Sequence, residues 1–198
     1  MGEKSKRIIV VGIPGVGKTT VLSEVKRSLE QSGIETVLAE FGKIMLEEAR
    51  FHNIKTRDDI RRLHIKDQKN LQRITATKIA KINSDIVIID THLFINTLEG
   101  YYPGLPMELI NLLEPSNLIL IIAKPEEIYH RRQNDSTRDR DIISIESIQN
   151  EIDVSKMLIS SCSVISGAPF KIIANTENHL HDCIKNLVDI IMSNSSSD

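Results

Sequence analysis

The chain has 198 residues, 40% of them hydrophobic, which predicts one well-buried core and a single domain spanning residues 1–198. A formal net charge of -2 excludes a global basic field for nucleic acid, and 4% aromatic residues with no Trp argue against a base-stacking surface. No apolar stretch approaches the roughly 18 residues that span a bilayer, so we expect a cytoplasmic protein with no membrane partner.

A candidate phosphate-binding loop follows the first predicted strand, Ile8 to Val11, and leads into a predicted helix of about Lys18 to Gln31. The loop reads Gly12-Ile13-Pro14-Gly15-Val16-Gly17-Lys18-Thr19, which has the spacing G-x-x-x-x-G-K-[ST]. Its glycines allow backbone N–H groups to converge on phosphate oxygens, Lys18 can reach terminal phosphates, and the Thr19 hydroxyl can bind Mg²⁺. The alternative is a chance match in a glycine-rich turn, which the flanking strand and helix disfavour.

A helical insertion of about residues 41–83 is predicted next, and it is longer than a crossover between two strands requires. After a second strand, Glu35 to Glu40, we expect Phe41-Gly42 to break the strand. Three helices are then predicted, at about Lys43 to Asn53, Arg57 to His64 and Ile65 to Asn83. Such an insertion favours a second pocket beside the phosphate-binding loop.

An acidic residue, Asp90, ends the continuous apolar run Ile86 to Ile89, which is typical of a central strand in a parallel sheet. This is where a phosphate-binding loop needs an acid near Mg²⁺, either in direct contact or through a bound water. The alternative is an Asp that caps the following turn. Residues Thr91 to Pro106 contain two glycines and two prolines and are predicted to form a loop, followed by a short helix, Met107 to Leu113.

The remaining segments continue the alternation of strands and helices. They are a strand at Leu118 to Ala123, a helix at Pro125 to Arg132, a mobile loop at about residues 133–141, a helix at Glu146 to Ser166, a strand at Phe170 to Ala174, a helix at Asn178 to Met192, and a disordered tail, residues 193–198. The fold class predicted is α/β, with a five-stranded parallel sheet of the phosphate-binding-loop type and helices on both faces.

Two groups of arginines are candidates for binding transferred phosphate. Arg131, Arg132, Arg138 and Arg140 surround the predicted mobile loop, and planar guanidinium groups suit the charge that spreads over a phosphoryl group in transfer. Aspartates interleaved with them leave open a solvated, self-paired loop. The second group, Arg57, Arg61 and Arg62, starts the helical insertion, where an ordinary solvated helix surface is the alternative.

Other chemistry finds little support in the sequence. The six histidines form no H-E-x-x-H pattern, and only His92, close after Asp90, is expected near a ligand. Cys162 and Cys183 lie far apart without C-x-x-C spacing, so we expect small apolar core residues and neither a disulfide nor a zinc site.

Three motifs in this order resemble the archaeal type of adenylate kinase, and the likeness extends from Ile8 to the last helix. They are Asp90-Thr91-His92, the loop Gly100-Tyr101-Tyr102-Pro103-Gly104-Leu105-Pro106, and Asp135-Ser136-Thr137-Arg138-Asp139-Arg140-Asp141. The resemblance implies reversible transfer of a phosphoryl group from ATP to AMP with Mg²⁺, giving two ADP, in a cytoplasmic homotrimer.

The resemblance also implies a set of site residues. ATP would lie on Gly12, Ile13, Pro14, Gly15, Val16, Gly17, Lys18, Thr19 and Thr20, and Mg²⁺ near Thr19 and Asp90. AMP would contact Phe41, Gly42, Met45, Arg57 and Arg61 of the insertion that binds the nucleoside monophosphate, together with Thr91 and His92. Catalytic charge would come from Lys18, Arg132, Arg138 and Arg140, of which Arg138 and Arg140 belong to a short lid at about residues 133–141.

One position departs from the family pattern. The family usually has Lys or Arg four to five residues after D-T-H, followed by Thr, whereas here Asn96 precedes Thr97. A missing cation would weaken AMP binding or shift the AMP phosphate to another arginine.

Two rival functions remain open at this stage. One is a kinase for another nucleoside monophosphate or a small alcohol, although a hydroxyl acceptor would benefit from a base and only Asp90 is well placed to act as one. The other is a nucleotide-dependent switch or assembly ATPase, for which the cationic groups on both sides of the loop would be superfluous and no N-K-x-D segment is present.

Overall fold

The computed structural model describes residues 5–56, 59–60, 62–97, 100–134 and 144–193. Within these ranges the strands are β1 (Lys6–Val11), β2 (Thr36–Glu40), β3 (Ile86–Asp90), β4 (Phe94–Thr97), β5 (Gly100–Pro103), β6 (Asn117–Ile122) and β7 (Phe170–Ala174). The helices are α1 (Lys18–Gln31), α2 (Phe41–Arg50), α3 (Ile65–Ala80), α4 (Met107–Leu113), α5 (Pro125–Gln133), α6 (Ile145–Ser166) and α7 (Leu180–Ser193).

Strand β1 lies at the centre of a parallel five-stranded sheet with the order β2-β3-β1-β6-β7. It pairs with β3 on one side, where Val10 is opposite Asp90, and with β6 on the other, where Val11 is opposite Leu120. These strands carry apolar side chains on both faces, so the sheet is stable only when helices cover both of its sides. The predicted α/β class with a five-stranded parallel sheet is confirmed.

Alternate residues of β1 enter two separate cores. Ile8 and Val10 pack with α1 and α7 on one face of the sheet. Ile9 and Val11 pack with residues of α3, α4 and the C-terminal half of α6 on the other face. Because side chains alternate across a strand, this single strand joins both layers and holds the loop after it in place.

The segment Thr91 to Pro106, predicted to be a loop, instead contains an antiparallel hairpin of β4 and β5. The Phe94 and Tyr101 rings meet edge to face with centroids 4.5 Å apart, and the Thr97 hydroxyl donates to the Gly100 carbonyl at 2.7 Å. Each strand has only four residues and β5 ends in Pro103. The strands are therefore too short to show an alternating pattern, and the glycines and prolines of the segment predict a loop.

Helix α2 begins at Phe41, immediately after β2, whereas the sequence predicts that Phe41-Gly42 separates strand from helix. The Phe41 side chain is 5% exposed and belongs to the core shared with α3 and α4. Burial of this ring favours a direct transition, since it anchors the first turn of the helix.

Several predictions fall on residues outside the described ranges. These are Arg57 and Arg61, residues 135–141 of the predicted lid, including Arg138 and Arg140, and all of the predicted tail after residue 193. Among the helices of the described residues, none has the length and apolar character that crossing a membrane requires.

Candidate active site

The loop after β1 curls where the sequence predicts it, between β1 and the first turn of α1. Gly17 has φ of 82°, a left-handed conformation that favours glycine, and a Cβ placed there would lie 2.5 Å from Asn175 Nδ2. Gly12 runs against β6, where a Cβ would lie 2.7 Å from the Ile121 carbonyl oxygen. The backbone of β6 at Gly12, and the left-handed φ with the Asn175 side chain at Gly17, therefore favour glycine at these two loop positions.

Lys18 and Asp90 form an ion pair at the mouth of this loop. Lys18 is 8% exposed, and Asp90 stands at the C-terminal end of β3, next to β1 in the sheet. The sheet thus brings a cation and a carboxylate from positions 72 residues apart to the point where nucleotide phosphates would lie.

One cavity of about 1350 Å³ extends from the loop to the helical insertion. The loop end is lined by Ile13, Pro14, Gly15, Gly17, Lys18, Thr19, Thr20, Lys124, Glu127, Arg131 and Asn175. The insertion end is lined by Phe41, Gly42, Met45, Ile60, Gln68, Gln72, Thr91, His92 and Ile95. Most of the predicted nucleotide residues that the structure describes therefore meet one continuous space, whereas Gly12 and Val16 are buried and do not line it.

The residues predicted for AMP approach the cavity from two elements. Phe41, Gly42 and Met45 come from α2, while Thr91 and His92 follow β3. His92 Nδ1 lies 3.2 Å from the Gly12 carbonyl oxygen, which ties the end of β3 to the phosphate-binding loop.

Arg131 and Arg132 are consecutive on α5 and point to different places. Arg131 lines the cavity, with Nη2 donating to Glu127 Oε2 at 3.1 Å and Nη1 donating to the carbonyls of Val16 and Asn175 at 3.4 Å. Arg132 is 9% exposed and does not line the cavity. Its Nε donates to the Pro14 carbonyl and its Nη2 to Glu151 Oε2, both at 2.9 Å.

Arg132 was predicted to supply catalytic charge, but the structure places its guanidinium behind the loop, in a buried ion pair with α6. Neighbouring positions on a helix point about 100° apart, and of this pair Arg131 lines the cavity while Arg132 does not. The i,i+4 spacing of Glu127 and Arg131 was a signal that could have selected Arg131.

Sequence reasoning also missed the side-chain amides that line the cavity, among them Gln68, Gln72 and Asn175. Asn175 could have been found, since it directly follows β7, and polar residues at the carboxyl ends of parallel strands gather at one edge of the sheet. The glutamines carry no such positional signal, because their place depends on how α3 packs.

The oxygen donors near the loop suit a hard divalent cation. The Thr19 hydroxyl and the Asp90 carboxylate are the ligand types that Mg²⁺ prefers, with phosphate oxygens and water completing its shell. In the part of the chain that the structure describes, no group of three His, Cys, Asp or Glu side chains forms a separate metal site.

Comparisons with known proteins agree with this geometry. A family model described as AAA domain matches residues 11–149. The adenylate kinase of Methanocaldococcus jannaschii is 35% identical over 190 residues, covering 95% of this chain and 99% of that protein. The adenylate kinase of Thermoplasma acidophilum is 40% identical over 184 residues, covering 90% of this chain and 97% of that protein.

Solved structures with much lower sequence identity share the fold of this chain. Shikimate kinase from Aquifex aeolicus superimposes with a TM-score of 0.60 at 15% identity, covering 97% of this chain and 99% of that one. At this identity the likeness concerns the fold alone. The curated relatives share much more sequence over nearly the whole chain, and the chain therefore belongs to the adenylate kinase family.

Proposed function

We propose that this chain transfers a phosphoryl group reversibly from ATP to AMP, giving two ADP. The observation that carries the proposal is a continuous cavity of about 1350 Å³, which joins the phosphate-binding loop to the helical insertion. A pocket for one drug-sized ligand has about 300–1,000 Å³, so this space suits two nucleotides meeting end to end.

The donor nucleotide would lie at the loop end. Backbone N–H groups of the loop and the N-terminus of α1 bind its phosphates, and Lys18 exchanges Asp90 for a terminal phosphate oxygen. Arg131, held by Glu127, adds a guanidinium at the same end. When bound, Mg²⁺ would neutralise charge on the donor phosphates beside Thr19 and Asp90.

The acceptor would lie between α2, α3 and the segment Thr91-His92. An AMP phosphate is already anionic at neutral pH, so transfer to it needs alignment and positive charge and no general base. This agrees with a cavity in which Asp90, the acid beside the loop, is paired with Lys18. Arg57, Arg61, Arg138 and Arg140, outside the described ranges, are proposed to supply the remaining cations.

Arg132 is proposed to act as a positioning residue. Its bonds to Pro14 and Glu151 hold the phosphate-binding loop against α6. Since Asn96 stands where the family usually has a cation, we propose that the acceptor phosphate depends on the arginines of the insertion.

A coupled assay with ATP and Mg²⁺ tests the proposal by offering AMP, CMP, GMP, UMP, shikimate or water as the acceptor. We expect AMP to be phosphorylated far faster than any other acceptor, and the Lys18→Ala variant to lose this activity. ATP hydrolysis without stimulation by AMP would contradict the proposal and favour a switch ATPase. Preference for shikimate would favour a small-alcohol kinase.

Nucleotides are the only partners proposed for the site, and the chain is proposed to work in the cytoplasm as a homotrimer, as the family resemblance implies. Light scattering on purified protein tests the assembly. A mass of three chains of 22.3 kDa is expected, and a monomer would contradict it.

A further inference from the structure

Gln72 is a buried amide in the wall of the cavity with one polar atom unsatisfied. The residue is 5% exposed, lies on α3 and lines the insertion end. Among the described residues its Oε1 has no hydrogen-bond partner. A buried acceptor without a donor costs roughly 1–3 kcal/mol, so native structures seldom keep one unless a ligand completes it.

The surroundings of Gln72 on its own helix are otherwise complete. The Thr75 hydroxyl donates to the Leu71 carbonyl at 2.8 Å, and Gln68 Nε2 donates to the Leu63 carbonyl at 2.9 Å. Helix α3 packs against α2, which contributes Phe41 and Met45 to the same cavity. The unsatisfied oxygen therefore stands in a wall that combines apolar side chains with the polar Gln68, Thr91 and His92, where a hydrogen bond to a ligand affects selectivity.

A wall with apolar side chains and an unsatisfied amide oxygen suits a flat heterocycle carrying an N–H donor on its edge. Apolar side chains can enclose the two faces of a base, and a Gln amide recognises the amino group of adenine, with the adjacent ring nitrogen as acceptor for Nε2. A phosphate offers no donor at neutral pH and would be repelled by the amide oxygen.

We propose that Gln72 determines base specificity at the acceptor site, its Oε1 accepting a hydrogen bond from the exocyclic amino group of the acceptor purine. This rests on the proposed function, because it assumes that the insertion end binds a nucleoside monophosphate. Gln72 touches the base and stands on a different element from the phosphate-binding loop. It therefore selects the acceptor and leaves the donor site alone.

The test compares AMP with purine riboside 5′-monophosphate, which lacks only the amino group, as acceptors for the full chain. In the wild-type chain we expect kcat/KM for AMP to exceed that for the analogue by roughly 10- to 100-fold, the range for a missing hydrogen bond in a buried site. In Gln72→Leu the ratio should fall to about one, through loss with AMP and little change with the analogue, while KM for ATP stays the same.

Thr75→Val is the matched control, since it removes a buried polar group from the same helix at a position that does not line the cavity. It should keep the wild-type ratio. Equal kcat/KM for the two acceptors in the wild-type chain overturns the inference without any variant having to fold. An unchanged ratio in Gln72→Leu overturns it as well.

The two failures are distinguishable. If the wild-type chain phosphorylates neither AMP nor the analogue, the proposed function fails together with the specificity assignment. If AMP is a good acceptor and the amino group has no effect on its rate, only the role of Gln72 is wrong.

Discussion

Asn175 Nδ2 donates a hydrogen bond of 2.8 Å to the Val16 carbonyl oxygen, so the residue after β7 fastens the phosphate-binding loop from the far end of the sequence. The backbone of Asn175 takes part as well, its N–H donating to the Ile122 carbonyl at 2.8 Å and its carbonyl accepting from Arg131. With the Val16 carbonyl held in this way, the N–H groups of the loop are kept available for phosphate.

Asn175→Leu should therefore misalign the loop. We expect kcat/KM for ATP to fall by roughly 10- to 100-fold, since small displacements of binding groups have effects of this size. Losing the shorter of the two hydrogen bonds to the Val16 carbonyl, which keeps the one from Arg131, should lower the free energy of unfolding by about 0.5–1.5 kcal/mol. Steady-state kinetics and urea denaturation measure both effects, and Asn70→Leu, at an exposed position of α3, is the control.

Lys18→Ala should lower turnover by about 10²–10³-fold, because it removes charge stabilisation from the transferred phosphoryl group. Circular dichroism should show that the fold is retained. Lys26→Ala is matched to it, since Lys26 lies on the same helix in an exposed pair with Glu30, and it should leave turnover near the wild-type value. A Lys18→Ala enzyme at full rate would remove Lys18 from the site.

Arg132 and Glu151 form a pair whose side chains are 7% and 11% exposed, so removing one partner leaves a buried charge. Glu151→Leu should lower the free energy of unfolding by about 3–5 kcal/mol, and Arg132→Met/Glu151→Leu should recover most of this loss. Urea denaturation measures both. Lys156→Met breaks the exposed pair with Asp153 on the same helix and should change stability by less than about 1 kcal/mol. A double variant no more stable than Glu151→Leu would contradict the structural role.

Gly104→Ala should disturb the acceptor end of the cavity. A Cβ at this position would lie 2.2 Å from the His92 carbonyl oxygen, so the chain carrying Thr91 and His92 has to move. We expect KM for AMP to rise more than KM for ATP, by roughly tenfold. At Gly33 a Cβ meets nothing within 4 Å, so Gly33→Ala should cost stability through its φ of 79° and leave KM for AMP unchanged. Equal effects on both nucleotides would contradict the prediction.

The two cysteines should be chemically silent in the folded protein. Burial raises the pKa of the Cys183 thiol to about 11 and also raises the pKa of Cys162, so neither forms the reactive thiolate near neutral pH. Because the folded pKa of Cys183 lies above its ordinary value, this thiol stabilises the fold at lower pH. That contribution is lost as the pH rises through about 9 to 11.

Mass spectrometry after iodoacetamide treatment at pH 8 should find both thiols unmodified, and modified once urea unfolds the chain. Rapid labelling of Cys183 without denaturant would contradict its burial.

Local sequence patterns were sufficient for much of this molecule. The run Ile86 to Asp90 predicted a central strand ending in an acid, and the spacing from Gly12 to Thr19 predicted the phosphate-binding loop. These are short-range signals, in which the residues that define the feature are adjacent in the chain. The hairpin β4 and β5 was missed for the same reason, because Phe94 and Tyr101 stabilise it across the ribbon and its strands are too short to show alternation.

The sequence by itself determined the sheet, the phosphate-binding loop and the family, because strand periodicity and glycine spacing follow from local backbone geometry. Only the tertiary structure decided that Arg131 faces the cavity while Arg132 binds Glu151 behind the loop, and that Asn175 fastens Val16 across the sheet. It also decided that, within the part of the chain that the structure describes, an oxygen of Gln72 in the wall of the insertion has no hydrogen-bond partner. Such relationships join residues far apart in the chain, and they arise from helix rotation and packing, which no local pattern encodes.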